Sequence, residues 1–132
     1  PWRGTAVGTL VGVALAVVLN RLADPLADLA GMDPVEFTLP AAVGLALGAM
    51  LGDIGASFIK RRSGRERGAP FPGLDQLDFV VGALALATLL DYGWVVSTFT
   101  LPVLVVVLVA TPLLHVATNG IAYAIGVKDE PW

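Results

Sequence analysis

The chain has 132 residues, 56% of them hydrophobic and 14% charged, with a mean hydropathy of +0.79. A water-soluble domain carries about a quarter charged residues, so this composition excludes one and describes a single compact membrane bundle, too short for a second domain. The net charge of −3 excludes little because the signs are segregated along the chain, but the lack of cysteine and the single histidine exclude disulfides, thiolate chemistry, cysteine-based zinc sites and an all-histidine metal site.

Four apolar stretches approach the roughly 20 residues that cross a bilayer. Helices are expected at about 4–22, 39–60, 76–94 and 101–125. The polar alternation of a spanning barrel is absent, so the expected fold class is all-α: a polytopic integral-membrane bundle with four transmembrane helices. The whole of 1–132 reads as one transmembrane domain. The first stretch is long enough to span and lacks a small-residue cleavage pattern, so it does not read as a signal peptide. The first residue is Pro1 rather than Met, and an upstream segment with a further helix is expected.

Gly8 and Gly12, then Gly44, Gly48 and Gly52, recur every four residues in the first two spans. That spacing predicts close helix packing. The acidic connection after the first span carries Asp24, Asp28, Asp33 and Glu36. The connection after the second, 60–75, carries Lys60, Arg61, Arg62, Arg65 and Arg67. By the positive-inside rule the basic loop is cytoplasmic. Asp91 is expected at the outer end of the third helix, in water. Thr111-Pro112 is expected to kink or break the fourth span, because proline removes a backbone donor.

The chemistry concentrates at the basic end. Asp53, Ser57 and Lys60 fall on one face of the second helix at 3.6 residues per turn. Asp75 and Asp78, three apart, share a face at the start of the third. Both also suit a helix N-terminus, where negative charge is favoured. If the two helices form a hairpin, three carboxylates converge and need a cation between them. Magnesium is the expected occupant, since it takes oxygen ligands and shares them with substrate phosphates. Lys60, Arg61 and Arg62 flank that position, and arginine forks fit phosphate oxygens. No glycine-rich phosphate loop exists, which excludes a P-loop or Rossmann site. His115, Asn119 and Tyr123 recur every four residues; they serve either interhelical hydrogen bonds or contact with a headgroup.

These motifs resemble a known family. Ser57-x-x-Lys60-Arg61, then Pro72, then Asp75-x-x-Asp78 is similar to the signature of the CDP-diacylglycerol synthases. The resemblance is closer to their archaeal branch, the CDP-archaeol synthases. It adds Gly52-Asp53 upstream, Trp2-Arg3-Gly4 at the start of a helix, and Asn119-x-x-x-Tyr123-x-x-Gly126-x-Lys128-x-x-Pro131-Trp132 at the end. Members of that branch have a further N-terminal helix. The resemblance implies a magnesium-dependent cytidylyltransferase at the cytoplasmic face of the cell membrane. It implies CTP and an isoprenoid ether-lipid phosphate, 2,3-di-O-geranylgeranylglyceryl phosphate, as substrates, membrane lipid as surroundings, and no nucleic acid partner. CDP-archaeol and pyrophosphate would be the products. Asp53, Asp75 and Asp78 would bind metal and act with Lys60 in catalysis. Arg3, Gly4, Ser57, Lys60, Arg61, Arg62 and Asn119 would bind substrate. The competing reading is a small ion channel or transporter with the aspartates as its path. That reading calls for polar residues through the full membrane depth, and the first span and most of the third are apolar.

Overall fold

The computed structural model describes residues 2–64 and 74–127. Among these the chain forms six helices and no strand: α1 (Trp2–Arg21), α2 (Ala23–Ala30), α3 (Leu39–Arg62), α4 (Leu74–Leu90), α5 (Tyr92–Thr98) and α6 (Leu101–Ala124). Three of them, α1, α3 and α6, are long and apolar enough to cross a membrane. The fourth expected span is shorter. Helix α4 has 17 residues, or about 26 Å at 1.5 Å per residue, against roughly 30 Å of hydrocarbon.

Burial runs opposite to that of a soluble protein. The buried apolar positions are small: Ala16, Ala41, Ala42, Ala56 and Ala87, with Val80 and Val95 the largest. Leu10, Leu89 and Leu113 are two-thirds exposed or more. Leucine outward and alanine inward is the pattern of helices whose outer surface meets lipid and whose contacts depend on close approach.

Helix α3 is the centre of the bundle, with α1 on one side and α4 on the other, both antiparallel to it. The glycine spacing produces these contacts. A Cβ on Gly44 would lie 2.6 Å from the Ala87 Cα, one on Gly48 would lie 2.8 Å from the Ala83 Cα, and one on Gly52 would meet the Asp78 carbonyl oxygen. On the other side, Gly8 faces the Met50 sulfur and Gly12 faces the Ala46 Cβ. Gly48→Ala is therefore expected to force α3 and α4 apart, at a cost of about 1–3 kcal/mol. Gly55→Ala is the control, because a Cβ there meets nothing within 4 Å. Its expected effect is neutral to about 1 kcal/mol stabilising. Thermal unfolding of both variants in detergent checks the pair; equal melting would show that the glycine seam is not tight.

Three expectations on the fold need correction. The acidic connection contains the short helix α2, with Asp24 in its first turn and Gly31 closing it in the left-handed conformation (φ 65°). The expected helix 76–94 is two helices. Asp91 leaves the helical conformation between α4 and α5 (φ −150°, ψ 72°) and caps α5, accepting from the Trp94 N–H at 3.1 Å. Pro112 lies inside α6 and does not break it. Such breaks are tolerated in membrane helices, where neighbouring groups and local adjustment satisfy the freed carbonyl.

The end of the bundle opposite the basic residues is tied by polar contacts. The Asn20 side chain donates to the Phe37 carbonyl at 2.8 Å and accepts from the Phe37 N–H at 2.7 Å. Trp94 Nε1 donates to the Glu36 carbonyl at 2.7 Å, and its ring lies 5.5 Å from that of Phe37. The Thr38 hydroxyl, which also caps α3, donates to Asp91 Oδ2 at 2.5 Å. Asp91 is thus a structural hub at the end of α4. The Thr38 hydroxyl, and then the Trp94 N–H, hold its carboxyl below the usual carboxylate range. A lowered folded-state value makes this contribution fully present above about pH 4 and lost as the pH falls below it. Asp91→Asn is expected to melt below the unsubstituted protein at pH 7, and that gap should narrow below about pH 4. A gap that stays constant with pH would contradict the assignment.

Candidate active site

The tight α3–α4 seam sets the depth of the acidic residues. Gly52 touches the backbone at Asp78 and Phe79, so Asp53 and Asp78 lie at one level of the bundle. Asp53 is exposed on α3. As the residue after Gly52, it stands about 100° round the helix from the α4 seam. Asp78 is half-buried, and its Oδ1 accepts from the Phe79 N–H at 2.7 Å. Asp75 falls in the first turn of α4, and its side chain lies outside the described residues. Among the described residues no group of three or more acidic or histidine side chains forms a metal cluster. Asp53 and Asp78 are the described carboxylates of the expected set.

The other side of Asp53 is occupied by α1, a neighbour that sequence spacing did not reveal. Gly12 meets Ala46 and Gly8 meets Met50. One more step of that antiparallel register puts Gly4 beside Ile54 and brackets Asp53 with Arg3–Thr5. A Cβ on Gly4 would meet nothing within 4 Å, so that glycine faces open space. At this end of the bundle Asp53 stands on α3, and Arg3 and Gly4 stand at the start of α1. Thr5, whose carbonyl accepts from the Thr9 hydroxyl at 2.8 Å, is the buried polar residue on the α1 side. A buried threonine in an apolar helix start was the available signal for this contact.

The cations close the same end. Lys60, Arg61 and Arg62 form the last turn of α3. Lys60 is half-buried and follows Asp53 and Ser57 along one side of the helix, while both arginines are exposed. Arg3 is exposed as well. Asn119 sits in the last third of α6, its amide nitrogen 3.3 Å from His115 Nδ1. That contact lies within α6 and is neither of the two expected roles. The basic loop residues Arg65 and Arg67, the turn-rich stretch to Gly73, and Lys128, Pro131 and Trp132 lie outside the described residues.

Fold and site define the class: a multi-pass helical membrane enzyme with carboxylates and fixed cations gathered at one end of its bundle. The family is shown by comparison. A family model described as CarS-like CDP-archaeol synthase matches residues 1–132. A CDP-archaeol synthase of Halorubrum lacusprofundi is 66% identical over 131 residues, covering 99% of this chain and 73% of that protein. One of Natronomonas pharaonis is 61% identical, covering 99% and 68%, and one of Methanosphaerula palustris 47%, covering 99% and 77%. No solved structure matches. The chain belongs to the CDP-archaeol synthase family, which sets aside the channel reading.

Proposed function

We propose that the chain transfers the cytidylyl group of CTP to the phosphate of an isoprenoid ether lipid, 2,3-di-O-geranylgeranylglyceryl phosphate, releasing pyrophosphate and leaving CDP-archaeol. The chain crosses the membrane four times, α4 included, with the basic end cytoplasmic. The segregation of Lys60, Arg61 and Arg62 from the acidic connection around α2 supports that orientation. What supports the reading is that Asp53 and Asp78 lie at one level of the bundle, with Lys60, Arg61 and Arg62 ending α3 about two turns beyond.

In this reading a lipid phosphate oxygen attacks the α-phosphorus of CTP, and the bond to pyrophosphate breaks. Such transfer needs positioning and charge neutralisation more than a covalent side chain. Lys60 and Arg61 hold the triphosphate. Arg3, at the start of α1, holds the lipid phosphate, with Arg62 at the end of α3 beside it in this role. Ser57 donates a hydrogen bond to a phosphate oxygen. Gly4 lets the substrate approach the α1 backbone, and Asn119 stands at the same end of the bundle.

The donor set fits magnesium: Asp53, Asp75 and Asp78 offer hard oxygen ligands, with no sulfur. Magnesium bound there would neutralise phosphate charge and polarise the reacting phosphoryl group.

The test incubates purified protein with radiolabelled CTP, magnesium and candidate lipid phosphates. A labelled lipid and free pyrophosphate are expected with the isoprenoid ether lipid. Label in pyrophosphate or cytidine monophosphate alone, with no labelled lipid, would overturn the reading.

A further inference from the structure

Between α1 and α3, on the far side of the Gly12–Ala46 contact from Asp53 and Lys60, lies an apolar cavity of about 160 Å³. Leu15, Ala16 and Leu19 line it from α1, Ala42 and Leu45 from α3, and Phe37 closes its outer end. We infer that this cavity receives the distal end of one isoprenoid chain of the lipid substrate, with Phe37 as the stop that sets accepted chain length. The inference rests on the lipid-phosphate reading of the charged end of the bundle and adds to it a site for the hydrocarbon.

Three observations select this occupant. The first is alignment. Ala42, Ala46, Ala49, Asp53 and Lys60 recur at steps of three, four and seven, so they share one side of α3. A single molecule lying along that side meets cations and a carboxylate at one end and the cavity at the other. The second is length. From Asp53 to Ala42 is 11 residues, roughly 17 Å along the helix, close to the roughly 15 Å depth of one leaflet's hydrocarbon. A chain whose headgroup sits at Asp53 therefore ends at the cavity. The third is size and chemistry. A dry cavity of roughly 150 Å³ holds a six-carbon ring, so this one takes a branched five-carbon isoprene unit.

The stop is held firmly. Both backbone polar groups of Phe37 are bound by Asn20, its ring lies against Trp94, and Trp94 is tied to Glu36. Extended backbone linking two helices would otherwise yield to an incoming chain. The outer polar network thus has a role beyond stability: it fixes the end wall of the cavity.

The experiment measures kcat/KM for ether-lipid phosphates with chains of two, four and five isoprene units. Phe37→Ala is expected to raise the five-unit to four-unit ratio roughly tenfold. Leu15→Trp, at an exposed position on the rim, is expected to lower activity on four units roughly tenfold and to spare two units. Proportional loss at every chain length, in both variants, would overturn the inference. A four-unit lipid phosphate with a chain-terminal diazirine gives a readout independent of catalysis and of the Phe37 variant's folding. Crosslinks on peptides containing Leu15–Leu19 and Phe37, displaced by unlabelled lipid phosphate and not by bulk phospholipid, support the site. Crosslinks confined to α6, or displaced equally by bulk lipid, refute it. Crosslinking at the cavity without nucleotide transfer would leave the cavity standing and fault the reaction instead.

Discussion

Asp53→Asn abolishes cytidylyl transfer, with kcat expected to fall by about a thousandfold or more, while the bundle melts as before. The size follows from removing a carboxylate from the proposed metal and phosphate site: a thousandfold is about 4 kcal/mol of barrier, within what a misplaced divalent ion costs. The intact fold follows from position. Asp53 is exposed on α3, while the adjacent Gly52 makes the α3–α4 contact. Substitutions away from packing and networks change stability by about half a kcal/mol or less. Asp75→Asn is expected to act in the same direction. Steady-state transfer of label from CTP, beside thermal unfolding, separates chemistry from folding. Near-full activity in either variant would remove that residue from the site.

Lys60→Ala raises the apparent KM for CTP by about 10- to 100-fold, with a smaller change in kcat. A hydrogen bond to a charged group is worth about 1.5–3 kcal/mol, and contacts present equally in the bound substrate and transition state appear in KM. Lys60 also favours the C-terminal end of α3 electrostatically. If that were its whole role, melting would fall and KM would not move. Lys60→Arg should recover much of the affinity, since it keeps the charge but not the geometry.

Much of this arrangement is legible in the sequence. The expected helix 39–60 marks α3 to within two residues of its end at Arg62, because a lipid-facing helix needs an apolar run of known length. The four-residue glycine spacing announces which faces approach closely, and each of Gly44, Gly48 and Gly52 does face backbone of α4. Other features were hidden for identifiable reasons. Asp24-Pro25 looks like a loop, yet proline and aspartate are both at home in a helix's first turn, and α2 begins there. The apolar run through Trp94 conceals the break at Asp91, which caps α5 locally through the Trp94 N–H and is tied to Thr38, 53 residues away in sequence. The site was partly legible: the residue types and their common end of the bundle follow from the motifs. The contribution of α1 beside Asp53 does not, because it depends on the register of Gly8 and Gly12 against Met50 and Ala46.

The most direct measurement is manganese binding by electron paramagnetic resonance, with CTP present, in the unsubstituted protein and in Asp53→Asn and Asp75→Asn. Manganese shares magnesium's preference for oxygen ligands. One saturable population of immobilised manganese is expected in the unsubstituted protein, lost or weakened at least tenfold in each variant (about 1.4 kcal/mol). Equal manganese binding in all three proteins would contradict a divalent cation held between the inner ends of α3 and α4.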